Sequence, residues 1–404
     1  MHRSTDRILT THVGSLVRPP ALRALIERQS RGETVDAAAF DALLTNSVAE
    51  VVARQTDVGI DIPSDGEFGK LGWTSYVAGR LSGLQPRARR PEDRDPRTTG
   101  RERLEFIEFY KAYNPVQAYD WSGPSFFASG QALKHGQNSP ILECTGPLGY
   151  RDAEIRRDIS NFKAALAGRS YVEAFLPVAA PESATGVRIN RHYATADQFL
   201  AAMSDALKVE YRAIVDAGLL IQLDDAFLTV EYDRLLMTMS EDEVRRHFAA
   251  YVEMLNAALA GIPAEKVRYH VCWGSWNGPH TSDVPLPAIL DLILKVKAQA
   301  LSFEAANPRH AHEVRVWEDA KLPDGKILLP GMISHSTNVV EHPELISMRI
   351  CAFAKLVGRE NVIASSDCGF SQNWNHIRVH PQIQWAKLKA LVDGARHATQ
   401  VLWQ

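Results

Sequence analysis

Two residues apart, in the stretch Val267-Arg268-Tyr269-His270-Val271-Cys272-Trp273, stand an imidazole and a thiol. The β-branched and aromatic character of this stretch predicts a strand, and side chains at i and i+2 of a strand leave the same face. His270 and Cys272 then point at one place. A third group, the thiol of Cys368, follows the apolar run that closes in Ala364-Ser365-Ser366-Asp367, and Glu304 ends the run Leu301-Ser302-Phe303. Three strand ends thus offer His270, Cys272, Glu304 and Cys368, an N/S/O donor set that suits Zn2+. The alternative for each residue alone is structural, since buried cysteines pack as small hydrophobes and buried histidines satisfy core hydrogen bonds. No Cys-x-x-Cys is present, which excludes a zinc finger or ribbon. A centre gathered from distant strand ends points instead to catalysis.

Those strand ends need a scaffold. Short apolar runs alternate with amphipathic helical patterns through most of the chain. They predict strands at Ile8–Val13, Gly59–Pro63, Tyr171–Val178, Leu219–Leu223, Val267–Cys272, Ala300–Phe303, Lys326–Leu329 and Asn361–Ser365. Helices are predicted at Ala38–Asp57, Ala196–Ala217, Glu241–Leu259, Leu286–Lys297, Pro343–Leu356 and Pro381–Thr399. This alternation argues for an α/β protein, a (β/α)8 TIM barrel, in preference to an open doubly wound sheet. No Gly-x-Gly-x-x-Gly turn follows the first strand. A single domain, residues 1–404, is expected, with a surface insertion at about 84–145. Within it, Leu84 to Gly100 is rich in Arg, Pro and Asp and reads as a solvated loop. The aromatic stretch Phe106 to Phe127 and an extra strand at Ile141–Cys144 are expected to cap one barrel end.

The 404 residues are 45% hydrophobic and carry a formal charge of -3. That balance holds no basic excess for nucleic acid, so a small-molecule substrate is the expectation. No run of 18 apolar residues suggests a membrane partner, and the first residues lack a signal-peptide core, which predicts a cytoplasmic location. Four cysteines are too few for a disulfide framework in a chain of this length, so the thiols stay available. Cys144 and Cys351 read as structural. His280, His310 and His312 lie in polar, Pro-containing loops and are expected at the surface. Trp273 and Trp276 either wall the site or pack beneath its rim.

Polar residues cluster where the predicted strands stop: Thr11-His12-Val13-Gly14-Ser15, Pro63-Ser64-Asp65-Gly66-Glu67 and Gln222-Leu223-Asp224-Asp225. In a parallel barrel these C-terminal ends share one rim with the ligand residues. Together with His-x-Cys, Phe-Glu, Ser-His-Ser and Asp-Cys-Gly-Phe, this succession resembles the catalytic barrel of cobalamin-independent methionine synthase, from about Leu9 to Phe370. The resemblance implies a zinc-dependent transferase that moves a methyl group onto a small thiol such as homocysteine through a zinc-bound thiolate. It implies His270, Cys272, Glu304 and Cys368 as metal ligands. Ser15, Glu67 and Asp224 are implied to hold the acceptor, with His335 and Asp224 assisting catalysis.

A free thiol is mostly protonated at neutral pH, and a metal that stabilises the thiolate makes it a nucleophile. Two features depart from the family's pattern. The aspartate that precedes the family's histidine is missing around Ile333-Ser334-His335, and Leu223-Asp224-Asp225-Ala226 replaces the usual Asp-Glu-Pro. The chain also has about half the length of the full synthase. The alkyl donor therefore stays open between a methylated folate and a corrinoid protein. An epoxyalkane:coenzyme M-type thiol transferase or lyase would use the same metal site, and a thiol or metal carrier would keep only the ligands.

Overall fold

The structure, a computed structural model, describes residues 1–88, 90, 100–116, 141–185, 188–375 and 377–404. In chain order its strands are β1 (Leu9–Thr10), β2 (Leu81–Arg87), β3 (Ile141–Tyr150), β4 (Phe175–Ala179), β5 (Arg188–Asn190), β6 (Leu220–Asp225), β7 (Val267–Val271), β8 (Ala300–Phe303), β9 (Ile327–Ile333) and β10 (Ile363–Ser366). A 7-stranded parallel sheet runs in the order β1-β10-β9-β8-β7-β6-β4. It curls until the segment Asp61–Pro63 touches both of its edges. Thr11 forms a parallel bridge with Ile62, while Val172 N–H donates to Asp61 O at 2.8 Å and Phe175 N–H to Pro63 O at 3.1 Å.

The predicted strand Gly59–Pro63 thus survives only as a bridge, for two local reasons. Gly59 serves as the left-handed C-cap of the preceding helix, Ala37–Val58, at φ 101°, and Pro63 has no N–H to continue a ladder. What the structure establishes is a mixed α/β fold with a curled parallel sheet, short of the eight full strands expected. The other seven predicted barrel strands fall on observed ones.

Alternation within the strands sorts the core. Leu9, Ile62, Phe175, Leu220, Ala300, Ile327, Leu329 and Ile363 pack together inside the curl. Ile221, Leu223, Val267, Tyr269, Val271 and Leu301 face outward into a larger core shared with the helices. On β7 this period of two sends Arg268 and His270 inward. The predicted helices appear at Ala37–Val58, Ala196–Asp216, Glu241–Ala258, Leu286–Ile293, Pro343–Val357 and Pro381–Leu402. Glu241–Ala258 starts on a capping box, in which Glu243 N–H donates to Ser240 Oγ and Ser240 N–H to the Glu243 carboxylate at 2.8 Å.

The insertion is more ordered at its margins than its composition suggests. Leu84–Arg87, expected in a solvated loop, belongs to β2, which pairs antiparallel with β3; β5 joins β3 to complete a 3-stranded sheet. Arg87 is accommodated because its guanidinium bonds Glu143 at 2.7 Å across that pair. Helices Arg101–Glu105 and Ile107–Val116 follow, and most of the Arg/Pro-rich tract and the aromatic stretch beyond residue 116 lie outside the described residues. Among the described residues no helix is long and apolar enough to cross a membrane.

Candidate metal centre

β7 and β10 deliver the three groups that come together. His270, Cys272 and Cys368 place their ligand atoms within 4.8 Å of one another, and the two sulfurs stand 3.5 Å apart. The imidazole is oriented from behind. Asp224 is the direct register partner of His270 on β6, and its Oδ1 lies 3.0 Å from Nδ1. A carboxylate only accepts, so Nδ1 donates its N–H to Asp224 and Nε2 is the nitrogen that turns to the thiols, able to offer a lone pair once a metal displaces its proton. Nε2 is buried and has no hydrogen-bond partner among the described residues. A buried imidazole nitrogen without a hydrogen bond, beside two thiols, is the donor arrangement of a metal site. Two thiolates at ~2.3 Å from one tetrahedral zinc lie roughly 3.8 Å apart, close to the separation observed. The residues present therefore fit zinc.

The thiols are electrostatically unequal. Cys368 is held well below the ordinary thiol value because Cys272 donates to it and His270 stands beside it, against the burial that opposes ionisation. Cys272 is pushed well up by that same bond and by burial. Burial works against charge on His270, but Asp224 and Cys368 outweigh it and raise the ring to about 10. Two further donors point at the sulfurs: Ser275 Oγ–H reaches Cys368 Sγ at 3.2 Å, and Gly274 N–H reaches Cys272 Sγ at 3.3 Å.

Glu304 stands beside this group, with both oxygens engaged. Trp273 N–H donates to Oε1 at 3.1 Å and Asn307 Nδ2 to Oε2 at 2.7 Å. Asn307 also donates to Asp367 at 3.2 Å, and Asp367 accepts from the N–H groups of Ala305 and Ala306, each at 2.8 Å. Asp367 thus pins the end of β8 to the end of β10 and sets Glu304 next to Cys368. The approach is close enough that a Cβ on Gly331 would lie 2.0 Å from Asp367 Oδ1.

On the other side lie Ser15, Glu67 and His335, all buried. Ser15 O accepts from Phe370 N–H at 2.9 Å, and a Cβ on Gly369 would fall 2.0 Å from Ser15 Oγ. Only glycine after Cys368 lets this hydroxyl come so near the metal strand. Glu67 occupies the left-handed region at φ 61°, uncommon for a residue with a side chain. Arg18 holds it there through a 2.7 Å bond to Glu67 O, while Glu67 Oε2 is buried without a partner. Burial raises this carboxyl to about 7; Lys70 opposes the shift and Asp224 reinforces it. Among the described residues His335 has no partner at either ring nitrogen, and burial lowers it to about 4 against the pull of Cys368. It is a neutral imidazole at pH 7.

The state of Glu67 makes a prediction. A folded carboxyl raised to about 7 from 4.5 holds its proton longer than in the unfolded chain, so in the free protein it contributes stability at low pH that is lost as pH rises through that interval. A ligand ammonium beside Oε2 reverses the preference by favouring the ionised form. Binding of methionine, which has no thiol proton to confuse the result, is expected to tighten as pH rises through about 7. Glu67→Gln should make that profile flat, as followed by calorimetry; an unchanged profile would remove Glu67 from the ligand site.

Two expectations need correction. His310 is buried, not at the surface: its ring bonds Glu313 at 2.8 Å and Asp283 at 3.1 Å and lies against Trp273 with centroids 4.6 Å apart. His280 is also partly buried, bonded to Asp283 at 3.0 Å and stacked on Trp276. A histidine in a polar loop looked solvated because its carboxylate partners could not be assigned from sequence. Trp273 packs beneath the rim, donating to Val284 O at 2.8 Å. Trp276 instead donates to Tyr110 of the insertion at 3.1 Å, and Glu102 accepts from Thr281 N–H at 2.5 Å, so the insertion holds the loop that follows Cys272.

Comparison with known proteins agrees with this arrangement. The chain is 22% identical over 390 residues to the uncharacterized protein YxjH of Bacillus subtilis, covering 95% of this chain and 93% of that protein. It is 20% identical over 385 residues to a methionine synthase of Thermococcus kodakarensis, covering 95% and 91%. Its fold matches that of a B12-independent methionine synthase from Shewanella sp. W3-18-1, solved with selenomethionine, with a TM-score of 0.70 at 16% identity over 98% of this chain and 99% of that one. A sequence model of the family described as cobalamin-independent synthase, catalytic domain, matches residues 148–396, the segment that carries Asp224, His270, Cys272, Glu304, His335 and Cys368. With more than half of its length matched by that model, the chain belongs to the cobalamin-independent synthase catalytic-domain family.

Proposed function

We propose that the chain transfers a methyl group to the sulfur of homocysteine, with one zinc held by His270, Cys272 and Cys368 and with Glu304 as the fourth, exchangeable ligand. The observation that carries this reading is the buried, unpartnered Nε2 of His270 facing two thiols 3.5 Å apart. Zinc in such a site supplies a Lewis acid that holds sulfur as thiolate at neutral pH. The scaffold is read as a (β/α)8 barrel in which Asp61–Pro63 occupies the place of the eighth strand. The family's own description, cobalamin-independent, speaks against a corrinoid partner and leaves a methylated folate as the favoured donor class.

The chain's residues divide the work. Glu67 takes the ammonium of the acceptor, whose charge would satisfy Oε2, and Ser15 takes the carboxylate with its hydroxyl. Asp224 keeps His270 in the tautomer that leaves Nε2 free. His335, neutral because burial lowers it to about 4, relays the proton that the thiol gives up through a ring nitrogen and does not retain it, so the proton reaches the solvent. Burial of the whole group excludes water and strengthens each of these interactions.

Calorimetry in buffers of differing ionisation enthalpy is expected to report about one proton from the thiol when homocysteine meets the zinc-loaded protein at pH 7, plus the fraction that Glu67, raised to about 7, gives up to the ammonium, a fraction that Glu67→Gln removes. X-ray absorption at the zinc edge should count a third sulfur neighbour where two stood before. Binding with neither change would sink the proposal.

A further inference from the structure

Inside the curled sheet, two polar side chains cross from one wall to the other where an apolar filling would have sufficed. Gln222 on β6 and Arg268 on β7 are register partners, and both reach the end of β1. Gln222 Nε2 donates to Val13 O and, at 2.8 Å, to Asp224 Oδ1. Both partners only accept, so the orientation of the amide is dictated and Oε1 is left without a bond. Arg268 donates to Thr11 Oγ1 and to His12 O, each at 3.0 Å, with its guanidinium 3.7 Å from the centroid of the Phe175 ring. It is fully buried, and no carboxylate among the described residues forms an ion pair with it. The layer just below is Leu9, Phe175 and Leu220. A buried, unpaired cation is costly, and a core needing only volume would do better with an aliphatic residue.

These bonds join into one chain. Val13 O accepts from Gln222, Gln222 donates to Asp224, and Asp224 accepts from His270, whose Nε2 faces the thiols. Val13 immediately precedes Gly14 and Ser15, the loop seated against Gly369. We infer that Gln222, braced alongside by Arg268, is a positioning residue that holds the acceptor-binding loop in register with the metal centre. The span between the site that takes the acceptor's amino-acid end and the site that takes its sulfur is thereby set by side chains crossing the barrel. This rests on the proposal that homocysteine is the acceptor.

The test compares two thiols on the zinc-loaded protein. Homocysteine must reach both the metal and the Ser15 loop, whereas ethanethiol reaches the metal alone. In Gln222→Met, with fold checked by circular dichroism and zinc by metal analysis, the Kd for homocysteine should rise about tenfold while that for ethanethiol stays within about twofold. Should Gln222→Met fail to fold, Arg268→Lys serves the same comparison, since an ammonium keeps the charge but cannot fork to both Thr11 Oγ1 and His12 O. Equal weakening of both thiols, or of neither, overturns the inference. Wild-type protein that binds ethanethiol but not homocysteine would instead overturn the choice of acceptor, and the role of the brace with it.

Discussion

Cys272→Ser and Cys368→Ser are each expected to reduce bound zinc from about one per chain to well below half and to lower methyl transfer by more than about a thousandfold. A serine hydroxyl stays protonated at neutral pH and is a poor zinc ligand, so either change leaves one thiolate where two are needed to hold the metal and keep it electron-rich. The two variants should differ in what survives. Cys368 receives the Ser275 hydroxyl and carries the stabilised negative charge, so its loss also leaves His270 without its charged neighbour. Metal analysis by mass spectrometry after gel filtration checks both. Retention of a full equivalent of zinc by both variants would mean that these sulfurs do not hold it.

Asp224→Asn is expected to weaken zinc about 10- to 100-fold, because the carboxylate orients His270, and to raise the acceptor KM as well on the proposal that it also helps to hold the acceptor. From the sequence and its resemblance Asp224 is assigned to the acceptor and to catalysis, not to the metal, and zinc should remain bound. The 3.0 Å contact with His270 changes that expectation. An asparagine amide can present its NH2 to Nδ1 and force the proton onto Nε2, the nitrogen that must stay free. Zinc affinity measured by competition with a chromophoric chelator separates the effects. Unchanged affinity with a raised KM would restore the simpler assignment.

Much of this centre was legible because strands have a period of two. His270 and Cys272 share a face in any strand that contains them, and Cys368 follows an apolar run that could hardly be anything else. Asp224 was legible as a rim residue, but its bond to His270 depends on register, which no local pattern states. Glu304 was legible as the residue that ends β8, but the ligand atoms that come together are those of His270, Cys272 and Cys368, and the bonds of Glu304 to Trp273 and Asn307 come from loop geometry that sequence does not encode locally. Gln222 was legible only as part of a polar strand end and Arg268 was given no role, because what a polar residue inside a strand does is not stated until the opposite wall is known. His310 was misplaced for the same reason: Asp283 and Glu313 meet it only in three dimensions. The second barrel strand was overestimated because Gly59 and Pro63 are spent on a helix cap and a break in the ladder.

The way the centre is gathered also bears on how the chain acquires it. Cys272 and Cys368 are separated by 96 positions, and the Val13 N–H that bonds Ser366 Oγ is 353 positions from its partner. Contacts of such separation form late, because loop-closure entropy must be overcome before they contribute. The pairing of β6 with β7, which brings Asp224 to His270, closes a loop of only 46 positions, whereas the second sulfur and the Ser15 loop need β10 to dock. Zinc therefore cannot template this fold as it does a small finger domain. On the proposed reading metal capture would follow closure of the curled sheet, and a ribosome-bound chain that has not yet released β10 lacks both the Cys368 thiol and the contact between Ser15 and Phe370.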